Sequence, residues 1–230
     1  MDFDLVDEER FLEDGYLRLG KVASPVEVER LCDRIDDIMM GRVRYDLMPM
    51  QLDSESGEYA DVPRQQTDGA PQTLAYRRID ELWRDPIFLE YMQHPLFHRI
   101  TDRYIGPDVS VFRAMFMNKP AGRGTELPWH QDVGVGWGLD ANPTLTIWTA
   151  LDDATVESGC MEIAPGSHKA GVLSERHFPS DEQIAEFAPP QERFFLEAEA
   201  GEAILLHNLL LHRSQVNSGT APRRAFSVPY

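Results

Sequence analysis

The sequence predicts a mainly β fold with flanking helices, in which the strands form an antiparallel double-sheet jelly roll. From residue 109 onward, the chain consists of short β-type runs separated by Gly, Pro, Asn and Asp. Before residue 109, the apolar residues mostly recur at helical spacing. A length of 230 residues suits one β-rich domain. We therefore expect a single domain spanning 1–230, with a mostly helical N-terminal part and lid loop (1–108) and a jelly-roll core (109–230).

Helix start signals support the helical part. The run Ser24 to Glu27 combines an N-cap serine, a proline at the first helical position and a capping-box glutamate. Gly41 ends the run, after apolar residues at helical spacing: Val28, Leu31, Ile35 and Ile38. Two more helices are predicted to begin at Asp85-Pro86 and His94-Pro95, and a short one is predicted at Asp181–Phe187.

Eight short strands with varied connections favour the jelly roll. They are predicted at Val109–Met117, Trp129–Val133, Thr144–Leu151, Met161–Ala164, Arg193–Glu197, Ala203–Leu206, Leu211–Val216 and Arg224–Val228. Arg42–Ala75 is polar and lacks clear periodicity. Because a loop of that length is unusual unless it is functional, we expect it to be a lid or binding element. Gly171–Gln191 is predicted to be an insertion.

Charge and composition limit the possible partners. The net charge of −17 argues against nucleic acid and against anionic membrane surfaces, both of which need a basic surface. No apolar run is long enough to span a membrane. The two cysteines, Cys32 and Cys160, are expected to be reduced thiols. The acidic N-terminus lacks the apolar core of a signal peptide, so we expect a cytoplasmic protein. The oligomeric state cannot be predicted from the sequence.

A candidate metal site begins with His130 and Asp132, which are separated by Gln131. Side chains on a strand alternate between faces, so His130 and Asp132 would project together if Gln131 faces out. Two histidines and one carboxylate can hold Fe(II) and leave other positions open for substrate chemistry. The second histidine is either His207 or His212. Because these positions differ by an odd number, a regular strand would aim them at opposite faces.

The residues after His212 favour it as the ligand. Ser214 shares its face, and Asn217–Thr220 is a strong turn signal. A hairpin centred on this turn would place Ser214 beside Arg223. A hydroxyl and a guanidinium in that position would bind a carboxylate, because arginine offers a planar fork of donors. His207 remains the alternative ligand; its other interpretation is a strand-end histidine satisfied by the backbone.

Further motifs accompany these residues along the chain. They are Asn118-Lys119-Pro120, Trp129–Asp132, Trp148–Asp153, Ser158-Gly159-Cys160, Pro165–His168, Gly201-Glu202, His212-Arg213-Ser214, Asn217 and Arg223-Arg224. Together they resemble the phytanoyl-CoA dioxygenase family of iron(II)- and 2-oxoglutarate-dependent oxygenases. The resemblance covers Phe11 to Tyr230, with Arg42–Ala75 and Gly171–Gln191 falling outside it.

The resemblance implies a double-stranded β-helix, the cupin-like form of the jelly roll. It implies that His130, Asp132 and His212 bind Fe(II) and form the catalytic centre. It also implies that Arg223 and Ser214 hold the distal carboxylate of 2-oxoglutarate and that Trp148 lies near this co-substrate, with O2 as the oxidant. Family members that halogenate lack the metal carboxylate, so the presence of Asp132 argues against halogenation.

The expected reaction is hydroxylation of an unactivated C–H bond in a small-molecule metabolite, with release of succinate and CO2. The same centre could instead catalyse desaturation, cyclisation or epimerisation, because only substrate placement separates these outcomes. A non-catalytic jelly-roll metal-binding or sensor protein is an alternative of another class. Near the site, Asn118 and Lys119 either contact the co-substrate or form a solvated strand end. Arg77 and Arg78 either bind an anionic substrate or lie in solvent.

Overall fold

A computed structural model describes residues 5–134, 143–175 and 177–230, and within these ranges eleven strands form two antiparallel sheets. The strands are β1 (Tyr16–Lys21), β2 (Met50–Leu52), β3 (Tyr76–Ile79), β4 (Met115–Lys119), β5 (Leu127–His130), β6 (Leu145–Ala150), β7 (Met161–Ile163), β8 (Phe194–Leu196), β9 (Glu202–His207), β10 (His212–Ser214) and β11 (Arg223–Pro229). The large sheet has the order β1-β9-β6-β11-β4-β3-β2, and the small sheet has the order β5-β10-β7-β8. The predicted mainly β, double-sheet architecture is confirmed.

The described ranges contain five α-helices. They are α1 (Leu5–Asp14), α2 (Pro25–Met39), α3 (Pro86–Met92), α4 (Pro95–Tyr104) and α5 (Asp181–Phe187). The capping box of α2 is present, with Ser24 and Glu27 each accepting a hydrogen bond from the other's backbone amide. The Asp85 and His94 side chains accept hydrogen bonds from the first turns of α3 and α4. The predicted helices are confirmed, and α1 is an additional one.

Three strands of the large sheet lie before residue 109 and were not predicted. β1 pairs with β9, whereas β3 pairs with β4 and β2 with β3. Since β2 lies within Arg42–Ala75, this segment is partly ordered by sheet pairing. The predicted strand Val109–Met117 was wrong in its first two thirds, because β4 begins only at Met115. Before Met115 the backbone makes isolated hydrogen bonds to other segments; for example, Phe112 N donates to the Pro229 carbonyl.

Alternation along β11 assigns the two faces of the large sheet. Phe226 belongs to the main core cluster and packs against Phe88 of α3 at a ring-centroid distance of 4.9 Å. Burying an aromatic side chain of this kind contributes roughly 1.5–3 kcal/mol. Arg223 and Ser227 point the opposite way, into a cavity lined by residues of both sheets. The helices therefore close one face of the large sheet, and the other face borders the cavity.

Cys32 and Cys160 are both buried free thiols. Among the described residues, no helix combines the length and apolar character needed to cross a bilayer.

His207, at the end of β9, lies on the face of the large sheet that is turned away from the cavity. Its ring is 4.9 Å from the ring of His168 and 6.1 Å from that of Phe11, and its Nδ1 accepts a hydrogen bond from Leu209 N. Burial, and then the charge of His168, lowers the pKa of His207 to about 4. The unfolded chain protonates this ring below about pH 6.5, where the folded chain keeps it neutral. The contribution of His207 to the unfolding free energy is therefore fully present above about pH 6.5 and is lost as the pH falls toward 4.

We expect His207→Asn to reduce this pH dependence. Asparagine can still accept the hydrogen bond from Leu209 N but does not titrate. The loss in unfolding free energy between pH 7 and pH 5 should be smaller than in the wild type by about 1 kcal/mol, after allowing for the solvated part of the ring. Urea titrations at the two pH values measure the difference. An unchanged pH dependence would show that His207 is not responsible.

Candidate active site

The cavity between the sheets has a volume of about 420 Å³. Among the described residues that line it, six are basic and one, Asp132, is acidic. The basic residues are Arg77, Arg78, Arg113, Lys119, Arg213 and Arg223. In a chain of net charge −17, this is a local concentration of positive charge. Such a cavity is suited to an anionic ligand.

His130 and His212 meet because β5 and β10 are neighbouring strands. The two residues are directly paired in the antiparallel register. Side chains at paired positions point to the same face of a sheet. Their ring centroids are accordingly 4.0 Å apart, and both rings line the cavity.

Asp132 lies just beyond the end of β5, so the predicted strand Trp129–Val133 is shorter than expected. The amide of Asp132 donates a 2.8 Å hydrogen bond to the Asn208 carbonyl. Its Oδ1 is 3.7 Å from His130 Nε2, and its Oδ2 is 3.9 Å from His212 Nε2. The three side chains are therefore brought together, although a turn and not a regular strand directs the carboxylate.

Gln131 is buried and not exposed to solvent, unlike the outward position considered from the sequence. Its Nε2 donates to the carbonyls of Gly171 at 2.9 Å and Leu209 at 2.7 Å. Its Oε1 accepts a 2.8 Å hydrogen bond from Leu173 N. These bonds tie the segment after Gly171 to the turn that carries Asp132.

Backbone carbonyls orient both histidine rings. His130 Nδ1 is 2.8 Å from the Pro128 carbonyl oxygen, and His212 Nδ1 is 3.0 Å from that of Leu210. When Nδ1–H donates to the carbonyl, Nε2 keeps its lone pair for a metal ion. Burial, followed by the charges of His212 and His177, holds the pKa of His130 well below its usual value. The ring therefore stays neutral, which is the form that binds metals.

A third histidine, His177, lies beside this pair and was missed by the sequence analysis. Its ring centroid is 4.8 Å from that of His130. One potential ligand atom from each of His130, Asp132 and His177 lies within 4.8 Å of the others. His177 belongs to Gly171–Gln191, which the family motifs do not cover, and the only available signal was its residue type. The alternative His207 faces away and is not among the described residues that line the cavity.

Arg223 is buried in the same cavity with incomplete hydrogen bonding. Its Nη2 donates to the Gly159 carbonyl at 2.7 Å, but its buried Nε has no hydrogen-bond partner among the described residues. Burial lowers the pKa of Arg223 to about 10, so the guanidinium is charged at neutral pH. The ring of Trp148, which also lines the cavity, lies 6.0 Å from the guanidinium carbon. A buried cation with an unmet donor is costly unless a ligand completes it.

Ser214 lines the cavity too, but the predicted hairpin with Arg223 was wrong. β10 pairs with β5 and β7 in the small sheet, whereas β11 pairs with β4 and β6 in the large sheet. The turn at Asn217 joins the two sheets, because its Nδ2 donates to the Lys119 and Ala221 carbonyls. A turn signal of this kind suits a connection between sheets as well as a hairpin. The two side chains reach one cavity from different sheets.

Lys119 and Asn118 are buried, so their interpretation as a solvated strand end was wrong. Lys119 Nζ donates to the Thr125 carbonyl. Burial, and then the charges of Arg223 and Arg77, lowers the pKa of Lys119 well below its usual value. Arg77 is also buried, with 7% of its surface exposed, so it does not lie in solvent. Lys119, Arg77 and Arg223 therefore line one cavity together.

Gly159, whose carbonyl accepts the Arg223 hydrogen bond, leaves no room for a side chain. Its φ is +76°, and a Cβ would lie 2.5 Å from the Gln215 carbonyl oxygen and 2.9 Å from Lys119 Cδ. We expect Gly159→Ala to lower the unfolding free energy by about 2–4 kcal/mol through crowding and backbone strain. Gly122→Ala is the matched control, because Gly122 has a φ of +68° but no atom within 4 Å of a Cβ. Equal losses in urea denaturation would rule out the crowding.

Comparison with known proteins identifies the family of the chain. The family model for phytanoyl-CoA dioxygenase (PhyH) matches residues 11–225. The probable phytanoyl-CoA dioxygenase of Caenorhabditis elegans is 26% identical over 239 residues, covering 97% of this chain and 74% of that protein.

Solved structures with the same fold also match. EctD from S. alaskensis has a TM-score of 0.75 at 22% identity, over 98% of this chain and 75% of that one. EctD has also been solved with bound Fe, and with 2-oxoglutarate and 5-hydroxyectoine. SnoK, a non-haem α-ketoglutarate-dependent carbocyclase from nogalamycin biosynthesis, has a TM-score of 0.71 at 22% identity, over 98% of this chain and 83% of that one. These likenesses confirm the jelly-roll fold. The family match over residues 11–225 shows that the chain belongs to the phytanoyl-CoA dioxygenase family of iron(II)- and 2-oxoglutarate-dependent oxygenases.

Proposed function

We propose that this protein hydroxylates an unactivated C–H bond of a small-molecule metabolite, using 2-oxoglutarate and O2. The proposal rests mainly on the side chains that line one cavity. His130, Asp132 and His212 converge there, and the cavity also contains the buried, incompletely bonded guanidinium of Arg223. A metal-binding group and an anion-binding group within one cavity are what a metal-dependent enzyme with an acidic co-substrate requires.

The residues present fit Fe(II). Two neutral imidazoles and one carboxylate are characteristic ligands of non-haem iron. The carboxylate oxygens of Asp132 are 3.7 and 3.9 Å from the Nε2 atoms of His130 and His212, and backbone carbonyls hold the other ring nitrogens. We propose that these three side chains hold the ion. When bound, Fe(II) supplies the site at which O2 is activated by oxidation of 2-oxoglutarate.

The residues also fit 2-oxoglutarate. Arg223 Nε lacks a partner among the described residues, and a carboxylate oxygen would satisfy it. We propose that Arg223 and Ser214 bind the distal carboxylate of the co-substrate, and that Trp148 forms a wall beside its carbon chain. Lys119 is a further basic side chain that lines the same cavity.

Two aromatic residues are proposed to cover the site. Tyr59 belongs to Arg42–Ala75 and Phe178 to Gly171–Gln191, and their ring centroids are 5.3 Å apart. The Phe178 ring is also 6.3 Å from the ring of His130. Covering the site would exclude water and limit side reactions. The contact supports the prediction that Arg42–Ala75 acts as a lid.

In the proposed reaction, 2-oxoglutarate loses CO2 and takes up one oxygen atom of O2 to become succinate. The other oxygen atom is inserted into the C–H bond of the substrate, which becomes C–OH. Desaturation, cyclisation or epimerisation at the same centre is the second candidate. SnoK, which shares this fold, is a carbocyclase, and this supports the second candidate. A non-catalytic metal-binding or sensor protein is the candidate of another class, and the turnover assay described below distinguishes it from an enzyme.

We propose a small substrate because a cavity of about 420 Å³ must accommodate both the co-substrate and the reacting part of the substrate. The net charge of −17 disfavours polyanionic CoA thioesters. We also propose a single domain located in the cytoplasm. The peroxisomal phytanoyl-CoA dioxygenase of Bos taurus, which is 24% identical, makes the peroxisome the competing location.

The test is turnover by the full chain with Fe(II), 2-oxoglutarate and a panel of small metabolites. We expect at least one metabolite to stimulate succinate formation and to gain one oxygen atom from ¹⁸O2. Succinate formation with an altered substrate that contains no ¹⁸O would favour desaturation, cyclisation or epimerisation. If the metal-loaded chain forms no succinate with or without any metabolite, the enzymatic proposal fails.

A further inference from the structure

His177 lies in the cavity with the candidate metal ligands, but it comes from a segment that the family motifs do not cover. Its ring is tilted by 55° against that of His130 at a centroid distance of 4.8 Å. Atoms of His130, Asp132 and His177 that could bind a metal lie within 4.8 Å of one another. His177 is therefore as much part of this cluster as the motif residues are.

The backbone around His177 is held in an uncommon conformation. Its φ is +77°, which a residue other than glycine adopts at a cost of roughly 1–2 kcal/mol. The Gln131 side chain binds the backbone of Gly171 and Leu173, and Gln131 N donates to the His177 carbonyl at 3.4 Å. These contacts fix the segment against the turn that carries Asp132. A strained residue that is fixed in this way is more typical of functional sites than of ordinary loops.

A backbone carbonyl orients the His177 ring, as backbone carbonyls orient the rings of the two motif histidines. His177 Nδ1 is 3.3 Å from the Val133 carbonyl oxygen, as His130 Nδ1 is close to Pro128 and His212 Nδ1 to Leu210. A histidine that donates from Nδ1 to a backbone carbonyl presents Nε2 as a metal donor, which is the usual arrangement around protein-bound metals. All three histidines at this carboxylate thus contact a backbone carbonyl, and the His177 ring also bonds to the backbone of Gln131.

We propose that His177 is a fourth protein ligand of the metal ion in the absence of substrate and 2-oxoglutarate, beside His130, Asp132 and His212. The inference rests on the metal site of the proposed function and adds an imidazole to it. The competing interpretation is that His177 only packs, because its ring also contacts that of Phe178 at a centroid distance of 4.8 Å.

The test uses the full chain loaded with Cu(II) or Co(II) alone. Pulsed electron paramagnetic resonance of the Cu(II) protein counts the bound imidazoles, and competition with a chelator gives the Co(II) affinity. We expect three imidazoles in the wild type and two in His177→Phe, which keeps a ring but has no donor nitrogen. The Co(II) affinity should fall by at least ~10-fold, the minimum loss typical of groups that support a metal site.

Two further variants keep the outcome decisive. His177→Asn serves if the phenylalanine variant does not fold, because asparagine tolerates a positive φ. His207→Asn, away from the cavity, should change neither the imidazole count nor the Co(II) affinity. If a folded His177 variant keeps the wild-type imidazole count and Co(II) affinity while His130→Ala abolishes Co(II) binding, this inference is wrong and the metal site of the proposed function stands. If His130→Ala also leaves Co(II) binding unchanged, the metal site of the proposed function fails with it.

Discussion

Asp132→Asn is expected to abolish 2-oxoglutarate turnover while leaving the fold intact. The substitution keeps the size of the side chain but removes the charge that faces the Nε2 atoms of His130 and His212 at 3.7 and 3.9 Å. Loss of an outer partner of a metal ligand typically lowers metal affinity ~10- to 100-fold, so loss of a ligand itself should exceed that range. Competition with a chelator measures the Co(II) affinity, and succinate formation measures the turnover.

The control for Asp132→Asn is Asp152→Asn. Asp152 binds Arg224 through both carboxylate oxygens at 2.8 Å and is not among the described residues that line the cavity. Its replacement should lower the unfolding free energy but leave metal affinity unchanged. A folded Asp132→Asn protein that retains wild-type Co(II) affinity would contradict the assignment of Asp132 as a ligand.

Arg223→Met is expected to cause the second large loss, in the affinity for 2-oxoglutarate. The variant keeps a long side chain but removes the buried charge and its donors, of which Nε lacks a partner among the described residues. Truncating one member of a buried charged pair typically costs 2–5 kcal/mol, so the apparent Kd for 2-oxoglutarate should rise at least ~30-fold. Metal affinity should stay near the wild-type value.

Arg224→Met is the matched control for Arg223. The two residues are neighbours on β11, but Arg224 faces α2 and bonds to Asp152 and Asp36. We expect Arg224→Met to reduce stability without changing 2-oxoglutarate binding. If titration with 2-oxoglutarate gives the same Kd for Arg223→Met and the wild type, the co-substrate is held elsewhere in the cavity.

Much of the architecture could be predicted because its causes are local. The α2 capping box depends on Ser24 and Glu27, three residues apart, and is present as expected. The proximity of His130 and Asp132 was expected from strand alternation, although β5 ends at His130 and a turn directs the Asp132 carboxylate. The meeting of His130 with His212 required β5 and β10 to be neighbours, and the family resemblance supplied this non-local information.

The features that the sequence analysis missed depend on non-local packing. The Ser214–Arg223 hairpin was wrong because the same turn residues allow β10 and β11 to enter different sheets. The burial of Lys119 depends on the loop around Thr125, whose carbonyl accepts its hydrogen bond. His177 reaches the site through contacts of its segment with Gln131, and neither periodicity nor a motif encodes those contacts.

The most direct test of the central claim is anaerobic addition of Fe(II) and 2-oxoglutarate to the full chain. If His130, Asp132 and His212 hold the iron beside Arg223, the wild type should develop a weak visible charge-transfer band that saturates at one equivalent of each addition. Asp132→Asn should show no band, and Arg223→Met should need a much higher 2-oxoglutarate concentration to develop it. A folded wild-type chain that shows no band at saturating Fe(II) and 2-oxoglutarate would contradict the proposed site.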